Sequence, residues 1–199
     1  MRLKVSVEAV NAVECVRPVV REFLRRAVHA VMNVDMDFAP LWTAALLPYY
    51  ASRAAVAERA IVTALGNASI RLVRPFFRDV RSLSKPFDFA GFLDRTGQWY
   101  EVKVVSSIKA FNSTTASRVV KHARANRYIR PIILTIHGWW SDTHKKSLGD
   151  TVLWFDAVAS WALLTGVRDA YWAFAKMVFE EAKPYRERIK NIIMNSRNK

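Results

Sequence analysis

A single cysteine, Cys15, stands among 199 residues, so no internal disulfide framework can form and no cysteine pair is at hand for zinc. Long apolar runs are missing too. The longest, Leu41 to Tyr50, falls short of the ~18 residues that a membrane span needs and contains Pro48. The opening residues, Met1 to Glu8, lack the apolar stretch of a secretory signal and already carry an acid. No repeat, low-complexity tract, Gly-rich phosphate loop or Ser-His-Asp arrangement is evident. The expectation from these absences is a cytoplasmic protein with no membrane partner.

Acidic residues are also scarce. Asp and Glu number 17 against 31 Lys and Arg, a formal net charge of +14. Such an excess commonly marks an anionic partner, either nucleic acid or an anionic membrane surface. A merely solubilising surface is the plain alternative. Hydrophobic residues, at 52%, are enough to build a full core in one globular domain of this length.

From Glu8 to Asn33 apolar residues recur at helical spacing (Val13, Val16, Val20, Leu24, Ala27, Val28, Val31), with Arg17, Arg21, Arg25 and Arg26 on the other face. This basic amphipathic helix is expected to pack on a core rather than lie on a membrane. Cys15 falls within its apolar pattern and reads as a buried small hydrophobe, not a nucleophile. A second helix is expected from Leu41 to Leu65, interrupted near Pro48 and closed by Gly66-Asn67. Ser69 to Phe76 reads as a strand, followed by a basic linker with Arg78, Arg81 and Lys85. Pro86 to Leu93 and Gln98 to Ser106 read as a hairpin around Asp94-Arg95-Thr96-Gly97. Ser113-Thr114-Thr115 is expected to cap a helix reaching Arg127. Arg130 to Ile136 reads as a buried strand with Pro131 at its start. A loop from Gly138 to Gly149, a short strand from Thr151 to Phe155 and a helix from Asp156 to Leu164 follow. A long helix from Val167 to Met194, kinked at Pro184, completes the chain.

The run Trp99-Tyr100-Glu101-Val102-Lys103-Val104-Val105 places a carboxylate and an ammonium on alternate residues of an apolar strand. Alternate strand residues project to one face. Charges rarely sit in such a strand unless they are paired or bind a metal. Asp88 adds a second carboxylate on the strand before. If Asp94 pairs with Trp99 across the turn, Asp88 falls opposite Val105. That is the correct face, yet about four residues of ~3.3 Å each separate it from Glu101. A bulge, a bend at Gly91 or a shifted register must close the gap. Asp94 is the rival acid, but its turn position suits a hairpin role. A bland reading stands beside this one: Glu101 and Lys103 as a neutralising pair on the exposed face of an edge strand.

The order helix, three strands, helix, strand, with Asp88 opening the second strand and Glu101-Val102-Lys103 in the third, resembles the PD-(D/E)XK nuclease superfamily. The resemblance covers roughly Arg53 to Gly138, and it departs from the motif at Pro86-Phe87-Asp88, where one residue separates the proline from the acid. It implies an α/β, restriction endonuclease-like core at about 53–138; the outer helices are not part of the resemblance, and the chain as a whole reads as a single nuclease-like domain over 1–199 with helical additions at 8–50 and 156–194. It implies Asp88, Glu101 and Lys103 as catalytic residues. Asp88, Glu101 and the Val102 backbone carbonyl would be the ligands of one or two Mg²⁺ ions, with Mn²⁺ as a substitute, and Glu58 an additional acid. The implied activity is metal-dependent hydrolysis of double-stranded DNA by a homodimer, as a type II restriction enzyme first and a Holliday-junction nuclease second. A nucleic-acid-binding protein without hydrolysis is the alternative. The chemistry is coherent, because Mg²⁺ is hard and prefers carboxylate oxygen, and it polarises phosphate and activates water. Lys103 would stabilise charge growing on the phosphate oxygens.

Hydroxyls and a helix N-terminus after the motif strand make a phosphate-binding edge. Ser107, Lys109, Asn112, Ser113 and Thr114 belong to it, with Asn112 a candidate for reading a base edge. Arg118, Lys121, Arg124 and Arg127 continue as an oblique basic stripe, and Arg71, Arg74, Arg78, Arg81 and Lys85 extend the positive field. His137, Asp142 and His144 lack a fourth partner for zinc. Trp139 and Trp140 are candidates for stacking on bases or for covering a core edge.

Overall fold

The computed structural model describes residues 5–33, 49–107, 111–125, 129–138 and 148–194. The chain is a mixed α/β protein that divides into two compact units, Met1–Val16 with Ser69–Ala175, and Arg17–Ala68 with Lys176–Lys199.

The first unit holds an open five-stranded sheet in the order β1-β2-β3-β4-β5. Its strands are β1 (Arg78–Ser82), β2 (Phe89–Leu93), β3 (Gln98–Ser107), β4 (Arg130–His137) and β5 (Leu153–Phe155). The β1–β2 and β2–β3 pairs are antiparallel, while β3, β4 and β5 run parallel to one another. Parallel neighbours need a crossover, and helix α4 (Ser113–Ala125) lies between β3 and β4 in the chain. Val105, Ile133, Phe87, Leu148 and Val152 pack with Ala116, Val119 and Ala123 of α4, which fixes the helix on the face shared by the odd-numbered residues of β3 and β4. The even-numbered set (Val102, Val104, Ile132, Leu134, Ile136) is buried as well, so both faces of the central strands are covered. Helix α5 (Ala157–Thr165) starts at Asp156, whose carboxylate accepts the Ala159 N–H at 2.9 Å, and ends at Gly166 in the left-handed conformation. Where β5 has ended, the Ser160 hydroxyl takes over its task and accepts the Thr135 N–H at 3.0 Å. Trp161 is fully buried, stacks on Phe174 at 4.2 Å and donates to the Ile136 carbonyl.

Three sequence expectations fail in the residues that lead into the sheet. The strand expected over Ser69 to Phe76 is the end of helix α3 (Tyr49–Val73) followed by a 3-10 turn, Arg74–Phe76. Gly66 and Asn67 lie inside that helix and do not cap it. Ala68, Ser69, Leu72 and Val73 are buried at helical spacing, which outweighs the ~1 kcal/mol that one glycine costs a helix. Pro75, which has no N–H to donate, marks where the regular helix stops. The segment expected to be a basic linker is strand β1. Four of its five residues are exposed, so no apolar alternation announces it. Charged side chains are normal on such an edge. Its pairing with β2 is irregular between Arg78 and Arg81, and Asp79 there has φ 52°.

The basic amphipathic helix expected from Glu8 to Asn33 is broken into α1 (Val7–Val13), a 3-10 turn (Glu14–Val16) and α2 (Arg17–Asn33). The tighter turn keeps Val13 and Val16 buried but turns Cys15 to the surface, against the expectation of a buried thiol. Partial desolvation of the thiol, helped by the neighbouring Glu14 charge, still pushes its pKa up.

The second unit is helical. Val31 of α2, Val56 and Ala57 of α3 and Ile189, Ile192 and Ile193 of α6 (Ala170–Met194) form its core. Pro184 lies inside α6, and the helix continues past it to Met194. Arg53 is buried here and donates to the Ile192 carbonyl at 2.9 Å. Among the described residues no helix is long and apolar enough to cross a membrane.

Candidate active site

The hairpin register decides the geometry of the charged residues. Leu93 pairs with Gln98, Ala90 with Glu101 and Phe89 with Val102. The turn between is Asp94 to Gly97, closed by Thr96 and Gly97 N–H groups that both donate to the Leu93 carbonyl at 3.0 Å. This pairing is two residues shorter than the one counted from Asp94 and Trp99. The shifted register, among the three devices expected, therefore halves the offset: Asp88 faces Lys103, with Glu101 two residues along the same face of β3. Gly91 serves something else: a Cβ there would meet Phe77 Cβ at 3.0 Å, so the bare backbone makes room for Phe77.

Asp88 sits just before β2, and its N–H donates to the Val102 carbonyl at 2.9 Å. Its carboxylate closes the ladder beyond the strand: Oδ2 accepts the Val104 N–H at 2.7 Å and Oδ1 accepts Lys103 Nζ at 2.9 Å. The two side chains are 14% and 22% exposed, so this ion pair is largely shielded from solvent. Glu101 is more deeply buried, its side chain 11% exposed. Its neighbour is His122 of α4, whose Nε2 stands 3.2 Å from Oε2 and 3.4 Å from Oε1. The shorter approach is off the hydrogen-bonding axis, and among the described residues Glu101 Oε2 is a buried oxygen without a hydrogen-bond partner. Such an atom calls for an explanation.

Asp88 and Lys103 are thus paired at one end of the β2–β3 hairpin, and Glu101 lies two residues along the same face of β3. The bland alternative is corrected in two respects. β3 is a central strand, flanked by β2 and β4, not an edge. The ion pair joins Lys103 to Asp88, with Glu101 beside His122. The Val102 carbonyl keeps one lone pair after accepting the Asp88 N–H. Glu58 is exposed on α3, in the other compact unit. Asp94 is in the turn and pairs with Arg78 at 2.7 Å, as its turn position suggests. Among the described residues no group of three His, Cys, Asp or Glu side chains converges as a metal cage.

The basic surface is partly as expected. Ser113, Thr114, Arg118, Lys121 and Arg124 are exposed along α4, and Lys121 and Arg124 line a shallow groove with Ser113, Ser117 and Val120. Asn112, not Ser113, caps the helix: its Oδ1 accepts the Thr115 N–H at 2.8 Å. Its amide N–H groups are the part left for any other partner. Ser107 ends β3 opposite His137. Its side chain, Lys109 and Arg127 lie outside the described residues, as do Trp139, Trp140, Asp142 and His144. His137 makes a 2.8 Å hydrogen bond with the Tyr171 hydroxyl, a packing role. The arginines near β1 are engaged with the sheet: Arg74 donates to Ser82, and Arg78 and Arg81 lie over the Phe92 and Trp99 rings at 4.7 and 5.5 Å.

His122 is the member that sequence reasoning missed. The available signal was its place on α4, beside the inward positions Val119 and Ala123 and off the exposed stripe of Arg118, Lys121 and Arg124. No family model matches the chain, and no curated protein matches it.

Proposed function

We propose that this protein is a metal-dependent DNA endonuclease with the restriction endonuclease-like core of the PD-(D/E)XK superfamily. The observation that carries the reading is the Asp88–Lys103 pair with Glu101 two residues along the same face of β3, its buried Oε2 without a hydrogen-bond partner among the described residues. The order of elements supports it too, since helix, three strands, helix and strand follow in the sequence the resemblance calls for.

The residues suit a hard divalent cation, Mg²⁺ first. Glu101 Oε2 has lone pairs to give, and the Asp88 carboxylate is pinned by the Val104 N–H whatever Lys103 does. Asp88 and Glu101 would hold the ion, with the Val102 carbonyl beside them; when bound, it would polarise the scissile phosphate and supply hydroxide near neutral pH. The protein's own groups have separable tasks. Asp88 orients Lys103, and Lys103 offers a positive charge to oxygens that gain negative charge in the transition state. The exposed Arg118, Lys121 and Arg124 would track the phosphate backbone and set register without reading sequence. A type II restriction activity on duplex DNA by a homodimer is the preferred form, because cutting two strands takes two sites. A junction-specific nuclease is the variant.

A second reading has its own observation. Both carboxylates already have cationic or ionisable neighbours, Lys103 and His122, so the cluster can be a neutral structural unit in a DNA-binding protein that does not cut. One experiment separates the readings. Supercoiled, linear and four-way-junction DNA are incubated with Mg²⁺ or with EDTA. Cleavage by the wild type in Mg²⁺ alone is expected, and Glu101→Gln and Lys103→Ala should each lose about 100-fold or more in rate. DNA binding with no cutting of any substrate would sink the nuclease and leave the binding protein.

A further inference from the structure

We propose that His122 is a positioning residue for Glu101, holding one carboxylate oxygen so that the other is left open for the ion. This rests on the ion site proposed above and adds a member to it from a different element, α4.

The geometry is specific. Nε2 lies 3.4 Å from Oε1 with hydrogen-bonding alignment and 3.2 Å from Oε2 without it, so the buried Oε2 has no hydrogen-bond partner among the described residues. A glutamate has three side-chain torsions and would otherwise sample several rotamers. A donor on one oxygen removes most of that freedom. Either the Nε2–H tautomer or the imidazolium supplies the donor, so the role does not depend on the charge of the ring. The ring is itself fixed: its edge packs on Phe87, with centroids 5.2 Å apart, and Phe87 belongs to the core under α4. Packing therefore runs without a break from the core through Phe87 and His122 to Glu101. Hydrogen bonds of this kind, one step outside the ligands, commonly set metal affinity.

The test reads ion binding directly. Mn²⁺ is titrated into wild type, His122→Ala and His122→Gln, and free Mn²⁺ is followed by its paramagnetic resonance signal. His122→Ala should weaken Mn²⁺ binding about 10- to 100-fold. His122→Gln, which keeps an N–H donor on a long side chain, should restore most of it. Melting measured without ion registers separately the loss of packing against Phe87. If His122→Ala does not fold, His122→Phe takes its place, keeping the aromatic packing while deleting the donor. Wild-type affinity in the Ala or Phe variant would overturn the proposal, and so would a Gln variant as weak as Ala. A wild type that binds no Mn²⁺ would instead overturn the ion site itself, and this role with it.

Discussion

Glu181 shows how far one residue can be governed by its neighbours. Arg21 donates to it from two nitrogens at 2.8 and 3.0 Å, and Arg17 from a third at 2.6 Å. These bonds, Arg21's first, bring its pKa down from 4.5 to about 2. A depressed carboxylate contributes stability that is fully present above the unfolded value and is lost as pH falls through the folded one. The contribution should therefore fade between pH 4.5 and about 2. Glu181→Gln is expected to melt at a lower temperature than wild type at neutral pH. The gap should close across that acid window, as circular dichroism melts at stepped pH would record. Arg17 and Arg21 were legible as the polar face of a helix, but their partner lies 160 or more positions away, and no spacing rule reaches that far. Asp88 and Glu101 illustrate the same limit. Their type and their strand parity were readable, whereas the identities of their partners, Val104 N–H and His122, depended on where β2 stops and which turn of α4 lies above the sheet.

At the level of elements, α4 joins the core to the basic surface. Ala116, Val119 and Ala123 face inward while Arg118, Lys121 and Arg124 face outward, a division fixed by the 3.6-residue period. Replacing the three basic residues by alanine leaves the buried stripe untouched. The triple variant should fold as wild type and bind duplex DNA more weakly. Its dependence of log affinity on log salt should be shallower by about 2 to 3, near 0.9 for each phosphate no longer neutralised. An unchanged slope in a fluorescence-anisotropy titration would remove α4 from the DNA surface. The elements that the sequence pattern identified were those with an apolar period or an unbroken apolar run, β2, β3, β4, β5, α4, α5 and α6. Those it misassigned were β1, whose solvent-facing edge has no apolar period, and residues 69–76, where strand-like and helix-like patterns overlap in a short apolar run.

For the molecule as a whole, the net charge of +14 is the governing property. If the proposed function holds, wild-type affinity for duplex DNA should fall by about 10³ or more between 50 and 200 mM salt, as counterion release demands of a protein that neutralises about six or more phosphates. An affinity flat across that range, measured by the same titration, would count against a phosphate-tracking surface. The charge, the want of disulfides, the α/β class and the parity that puts Glu101 and Lys103 on one face all belong to composition and local period, which need no knowledge of distant residues. Other features required the folded chain: the register that brings Asp88 to Lys103, the central place of β3, the exposure of Cys15 and the approach of His122 to Glu101. Each of these depends on packing between segments far apart in sequence, where burial of apolar surface outweighs local preference.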